Sequence, residues 1–410
     1  MKIFLQKNLN KIIFIISTLS LFVSFYFNED GSGSGASGDF VVTYGFILAL
    51  QENLLSDPKD WTLVHTPLHF IILSFVTRLV SNTDLLRFLF CVFSISLPLL
   101  FYKTILVSKS INFFKANLLI LSSAILFIPS FRYTSIWAND LITSLFFFIL
   151  SIYYFKKWEI NKSKDLEKNS LLQILFLVLA TYTRQYFAVF FIYFLFNYYL
   201  YFSKSSFVKL FLICVLSSIP VFYYTYLFPE LLTGQNISFD AINYFLIGNS
   251  SIISLTIIPI IFINIIYKTI NLKKLIVPSF LGLLIVFILS LNFDPFSSWK
   301  GGGVNHLISK KIFNNNFYLY VTAFITITTF IFLSLEKKEN ILILFIVLFM
   351  FFSSQVYQRY YDPMFFLIFF TLVKTHLTQI FLVKTNAVLL LFVYFVIYYF
   401  FSVTDLIYNI

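Results

Sequence analysis

The chain has 410 residues, 59% hydrophobic, 21% aromatic and only 11% charged, whereas about a quarter of a soluble domain is charged; a soluble fold is excluded. A formal net charge of +11 would suggest nucleic acid in a soluble protein, but here the lysines stand between apolar runs and read as topology signals, so no nucleic-acid partner is expected. Cys91 and Cys214 lie inside apolar runs without ligand-like spacing and indicate neither a disulfide framework nor a zinc site.

A span needs about 20 mainly apolar residues. The sequence therefore predicts an all-α polytopic membrane protein of about thirteen transmembrane helices, one integral membrane domain over 1–410. Lys2, Lys7 and Lys11 precede the apolar run Ile12 to Phe27. With the positive end inside, this run is expected to be an uncleaved anchor, and the next loop faces outward.

That first outer loop, 28–83, gathers Glu29, Asp30, Asp39, Glu52, His65 and His69. Its glycine-rich tract from Gly31 to Gly38 reads as a linker. From Asp39, Phe40, Tyr44, Ile47, Leu48 and Leu55 recur at helical spacing and predict an amphipathic helix lying at the interface. Asp39 at its start reads equally as an N-cap and as a catalytic acid. His65 and His69 are four apart, but Pro67 between them starts a helix and argues against a zinc pair. The run 66–80 is ambiguous. If it crossed, Lys103, Lys109, Lys115 and the basic loops at 156–168, 204–209, 268–274, 337–338 and 374–384 would nearly all fall outside, against the positive-inside tendency. It is therefore read as a second interfacial helix of the loop.

Further apolar runs fall near 84–102, 116–130, 138–155, 170–183, 185–203, 208–228, 251–267, 275–292, 316–335, 340–354, 362–373 and 385–402. With this parity Arg132, Asp140, Arg184, Gln185, Arg359 and Asp362 sit at outer helix ends. Moving a charge into the bilayer costs upward of about 2.5 kcal/mol, so the set predicts a polar chamber. Taken singly, Arg132 with Asp140 and Arg359 with Asp362 read equally as simple pairs or as side chains snorkelling to the headgroups. Smaller outer loops lie at 229–250, with a glycosylation sequon at Asn236, and at 293–315, where Lys300 and His306 are potential phosphate contacts.

These features resemble the GT-C-fold membrane glycosyltransferases that use polyprenyl-phosphate sugar donors. His65-Thr-Pro-Leu-His-Phe70 is similar to the His-Pro-Pro-Leu-Tyr element of the protein mannosyltransferase and aminoarabinose transferase branch, with Thr66 in place of the first Pro. Thr183-Arg184-Gln185 looks like the Arg-Gln pair of the terminal glucosyltransferase of the dolichol-linked oligosaccharide pathway. The resemblance implies a GT-C fold with two interfacial helices in the first loop, and inverting transfer of a sugar to a lipid-linked glycan, lipid or protein acceptor on the outer face.

It implies that Asp39 is the catalytic base and that Arg132, Asp140, Arg184, Gln185, Arg359, His65 and His69 bind substrate and phosphate. The cofactor stays open: a divalent cation could be held, with Asp140 a ligand. Where many relatives have Asp-Glu, Asp39 is followed by Phe40, a departure that argues against a tandem-acid metal site in this loop. A bacterial inner membrane is expected, with the endoplasmic reticulum as the alternative, and membrane lipids are partners in either. A polysaccharide polymerase would be marked by a large later outer loop, and a transporter or flippase by ionisable residues near the midplane. A membrane acyltransferase, needing a mid-membrane His, ranks last.

Overall fold

The structure is a computed structural model that describes residues 2–32, 35–52, 65–109, 115–227, 242–291, 300–301, 303–351 and 355–403. The sequon at Asn236, most of the 229–250 loop and residues 293–299 lie outside the described residues.

Among the described residues the chain is helical apart from two-residue strands, β1 (Lys300–Gly301) and β2 (Gln355–Val356), paired in parallel. A bilayer offers no water to satisfy backbone polar groups, so an apolar chain closes its hydrogen bonds within helices. In chain order these are α1 (Lys2–Tyr26), α2 (Gly35–Glu52), α3 (Leu68–Thr77), α4 (Thr83–Ser94), α5 (Ser96–Lys109), α6 (Lys115–Ile125) and α7 (Pro129–Ile136). Then follow α8 (Asp140–Asn161), α9 (Lys168–Thr183), α10 (Phe190–Tyr201), α11 (Lys204–Leu227), α12 (Ile242–Ile266) and α13 (Ile276–Ser290). The last are α14 (Gly303–Ile308), α15 (Phe317–Glu336), α16 (Asn340–Phe349), α17 (Asp362–Thr371), α18 (Leu377–Val383) and α19 (Thr385–Val403).

Every apolar run read from the sequence has a helix under it. Among the described residues eight helical stretches are long and apolar enough to cross a membrane, α4 and α5 together making one of them, and α6 with α7, bent by 67°, makes a ninth if the pair counts as one span. The remaining runs form shorter pieces, α9 of 16 residues, α10 of 12, and α16 and α17 of 10 each. A ten-residue helix is about 15 Å long against a hydrocarbon core of about 30 Å, so among the described residues the expected thirteen spans are not all reached by length. The same limit applies to the ten-residue α3, which is too short to cross by itself.

The first loop departs from expectation at its helix start. Helix α2 begins at Gly35, so Asp39 sits in the second turn and is not the N-cap. Asp30 is the capping acid instead, its carboxylate accepting the N–H groups of Ser32 (3.0 Å) and Ser37 (2.8 Å), while Ser32 Oγ accepts Ala36 N–H at 2.7 Å. Orphan N–H groups of the first turn are thus satisfied from outside the helix, and the end of the glycine-rich tract is helix rather than linker. Ala36, Phe40, Ile47 and Leu50 form the buried face of α2, which packs on α3 and is pinned by the Gln51 amide donating to Thr77 Oγ1 (2.7 Å).

The chain folds into two compact units. One comprises residues 21–110 and 132–234; the other 1–20, 111–131 and 235–410. In the first, α8 and α9 form the spine, with Phe148 wedged on Phe187 and Phe190 (ring centroids 4.8 and 4.5 Å). At one end of this spine the lysine-bearing turns meet, Ser203 N–H donating to Lys164 O and Trp158 packing on Tyr198; Asp140 and Arg184 lie at the other. In the second unit α12 packs along α15, and Ile247, Leu319, Ala323 and Ile327 form a core with Val286 and Leu289 of α13. The close approach of α13 to α15 depends on Gly282, where a Cβ would fall 2.4 Å from Thr328 Oγ1.

Candidate functional site

Three segments far apart in sequence converge in the first unit. Helix α7 ends with Asn139 N–H bonded to Thr134 O at 2.9 Å and Ala138 in the left-handed region (φ 45°), a Schellman-type stop that usually takes glycine. Asn139 then caps α8 by accepting Leu141 N–H, which places Asp140 in the first turn, where a carboxylate is favoured by the helix dipole. Helix α9 stops at Thr183, and Arg184, in extended conformation, turns back so that its Nη2 donates to Asn139 Oδ1 at 3.0 Å and pairs with Asp140 Oδ1 at 2.5 Å. Both side chains are buried. A buried charge must be paired to be tolerated at all, so this pair fixes the α7–α8 turn against the end of α9.

The His65–Phe70 segment docks onto the same place. Thr66 Oγ1 donates to Thr181 O at 2.9 Å, satisfying a carbonyl in the last turn of α9. Thr66 thus makes a bond that proline at this position could not. His69 is fully buried between Thr143 Oγ1 (Nδ1, 2.9 Å) and Ala138 O (Nε2, 3.0 Å). A carbonyl can only accept, so Nε2 carries the proton and Nδ1 accepts from the Thr143 hydroxyl, a neutral imidazole. His65 lies within electrostatic reach of Asp140. The expected helix start between the two histidines is observed, since α3 begins at Leu68.

Burial pushes the His69 imidazole down to about 4, against the opposing pull of the Asp140 carboxylate and the Ala138 carbonyl. Below its ordinary pKa of 6.5 the unfolded histidine binds a proton that the folded one refuses, so folded stability falls as pH drops from about 7 to about 4, then levels. The loss from this group is about 3 kcal/mol. Unfolding in detergent across that range should show it, and His69→Gln should flatten the slope by about one proton; an unchanged slope would refute the assignment.

A second buried cation cluster holds the start of the loop. Arg132 is fully buried, its Nη2 donating to Ser24 Oγ and its Nε 3.6 Å from Glu29 Oε1. It neither snorkels nor pairs with Asp140. Arg87, which the sequence pattern of outer helix ends does not include, is also buried: it donates to Asn28 Oδ1 (2.8 Å) and Ile136 O (3.2 Å) and its guanidinium lies 3.7 Å from the Trp137 ring centroid. Trp137 Nε1 donates in turn to Glu29 O. An arginine inside the apolar run 84–102 was the signal, because a charge at membrane depth needs a partner. Gln185 opens a short 3-10 turn directly after Arg184. Asp39 is half-buried on α2, beside Phe40, which stands 6.1 Å from Trp137.

Compared with known proteins, the chain matches no family model, no curated protein and no solved structure.

Arg359 belongs to the second unit, flanked by the rings of Tyr357 (5.3 Å) and Tyr360 (5.7 Å). The simple Arg359–Asp362 pair is not observed. Asp362 instead accepts from Gln358 Nε2 (2.6 Å) and Tyr398 Oη (2.8 Å), and Gln358 Oε1 accepts Val304 N–H (2.8 Å). Gly303 is bound to this arrangement, with φ +64° and space for a Cβ only 2.5 Å from Gln358 Oε1. Gly303→Val should therefore cost about 1–3 kcal/mol, read as a lower unfolding temperature; an unchanged temperature would refute the left-handed backbone at this position. His306 is largely buried, with burial and then Lys310 lowering its pKa. The Lys300 side chain lies outside what is described.

Among the described residues no three His, Cys, Asp or Glu side chains converge to hold a metal, and the Asp140 carboxylate faces the Arg184 guanidinium. These residues do not fit a resident divalent cation.

Proposed function

We propose that the chain is a membrane glycosyltransferase that moves a sugar from a polyprenyl-phosphate donor to a lipid-linked glycan, lipid or protein acceptor at the outer face of a bacterial inner membrane. The observation that carries this reading is the convergence of His65–His69, Asn139–Asp140 and Arg184 in one buried cluster, in the unit whose first loop bears Asp39. The acceptor hydroxyl attacks the anomeric carbon while the bond to the lipid phosphate breaks, the phosphate leaving with the electron pair. Asp39 takes the hydroxyl proton as general base. Arg184 serves the departing phosphate: a guanidinium carries five N–H donors in a planar fork, enough to serve Asp140 and a phosphate together. Asp140 keeps that guanidinium oriented, with His65 within electrostatic reach of Asp140 and Gln185 next in the chain.

The second reading, a transporter or flippase, is weakened by where the charges stand. Asp140 is the first residue of α8 and Arg184 the first after α9, whereas transporters bind their cargo near the midplane. The test compares the masses of cell-surface glycans and glycolipids from cells with and without the gene. A species short by one sugar in its absence supports transfer; identical masses refute it.

A further inference from the structure

The second unit carries a groove with no part in this chemistry. In it α13 and α16 both pack on α12 and α15, leaving a cavity of about 510 Å³ between them, within the 300–1,000 Å³ range of small-molecule pockets. Its walls are Ile285 and Leu289 of α13 and Phe345 and Leu348 of α16, over Ile331 of α15, with Leu246 of α12 at one end. Ile285 and Phe345 are exposed, so the groove opens sideways, toward lipid. From Ile327 to Leu335 it follows α15 for about 12 Å, the length of a partial acyl chain.

Its other end is polar and charged. Ser334 and Lys338 close it, and among the described residues no carboxylate pairs with the Lys338 side chain, which is exposed. Lys338 belongs to a basic end of the unit. Asn340, two residues on, donates to Lys374 O, and Lys384 lies over the Tyr267 ring at 4.6 Å, beside Lys268. Basic ends face the cytoplasm, and the cytoplasmic leaflet is rich in anionic lipid. An unpaired ammonium at the mouth of an apolar, membrane-facing groove is complementary to one thing that leaflet supplies in quantity.

We propose that this groove binds an anionic phospholipid of the surrounding bilayer, one acyl chain lying between α13 and α16 and the headgroup phosphate on Lys338. The site rests on the membrane location of the chain and on its basic end facing the cytoplasm, and is independent of the glycosyltransferase reading.

The purified full-length protein is exchanged into neutral detergent and titrated with phosphatidylglycerol or phosphatidylcholine of identical acyl chains, and retained lipid is counted by native mass spectrometry. Phosphatidylglycerol should be retained in preference, Lys338→Ala should cut that preference about fivefold, and Ile331→Trp, which fills the groove, should reduce retention of both lipids. Lys337→Ala, one residue away, should keep the preference. Equal retention of the two lipids by the wild type overturns the proposal. So does an equal effect of Lys337→Ala and Lys338→Ala, which would mean diffuse electrostatics, or unchanged retention in Ile331→Trp. A concentration-dependent dimer that Ile331→Trp abolishes, with no lipid preference, would assign the groove to a second copy and overturn it too.

Discussion

Asp39→Asn is expected to lower sugar transfer by a factor of about 10²–10⁴, the usual contribution of a general base, with protein abundance in the membrane unchanged. The substitution keeps the side chain's shape and removes only its ability to accept a proton. It is informative because the fold separates two roles that the sequence leaves joined. A residue before an apolar helix can be a cap, and loss of a cap costs about 1 kcal/mol. Here the capping acid is Asp30, which holds Ser32 and Ser37 N–H groups, while Asp39 lies a turn inside α2. Asp30→Ala should therefore lower stability with transfer reduced only in proportion to folded protein, and Asp39→Asn should do the reverse. Transfer from a polyprenyl-phosphate sugar, measured per unit of folded protein in membranes, decides between them. Full activity in Asp39→Asn removes that residue from the mechanism.

How far the fold was legible differs between its local and long-range parts. Apolar runs produced helices because the pattern and its consequence are local: a stretch without charges in lipid has to close its own backbone bonds. Lysine placement set the side given to 66–80, not the length of its helix, and α3 has ten residues. Helix starts were less legible, since the first turn of α2 is set by Asp30 reaching forward across a glycine-rich tract whose composition reads as linker. Partner choice was not legible at all. Arg132 meets Glu29 and Arg184 meets Asp140 across about a hundred and about forty intervening residues, and no local rule selects those partners over Asp140 for Arg132 or Arg359 for Asp362. Arg87 went unread as well, although a charge inside an apolar run needs partners; the start of the first loop supplies one of them in Asn28.

Arg184→Gln should be the most damaging single change to stability, because it leaves the Asp140 carboxylate buried and uncompensated. Breaking a buried pair from one side costs about 3–5 kcal/mol, a large share of the roughly 5–15 kcal/mol that holds a domain of ordinary stability folded. Activity lost in this variant alone would say nothing about phosphate binding. The double variant Arg184→Gln with Asp140→Asn separates the two effects: with no charge left to bury, most of the stability should return, and the Asn139 cap of α8 is untouched. If Arg184 serves the leaving phosphate, the double variant is folded and inactive. If the pair only ties the α7–α8 turn to the end of α9, the double variant is folded and active. Arg184→Lys completes the series. It keeps the charge and much of the stability but replaces a planar fork by a point charge that cannot serve a carboxylate and a phosphate in the same geometry, so its transfer rate should fall well below wild type at near-normal abundance. Equal rates in Arg184→Lys and wild type would reduce the role of Arg184 to its charge.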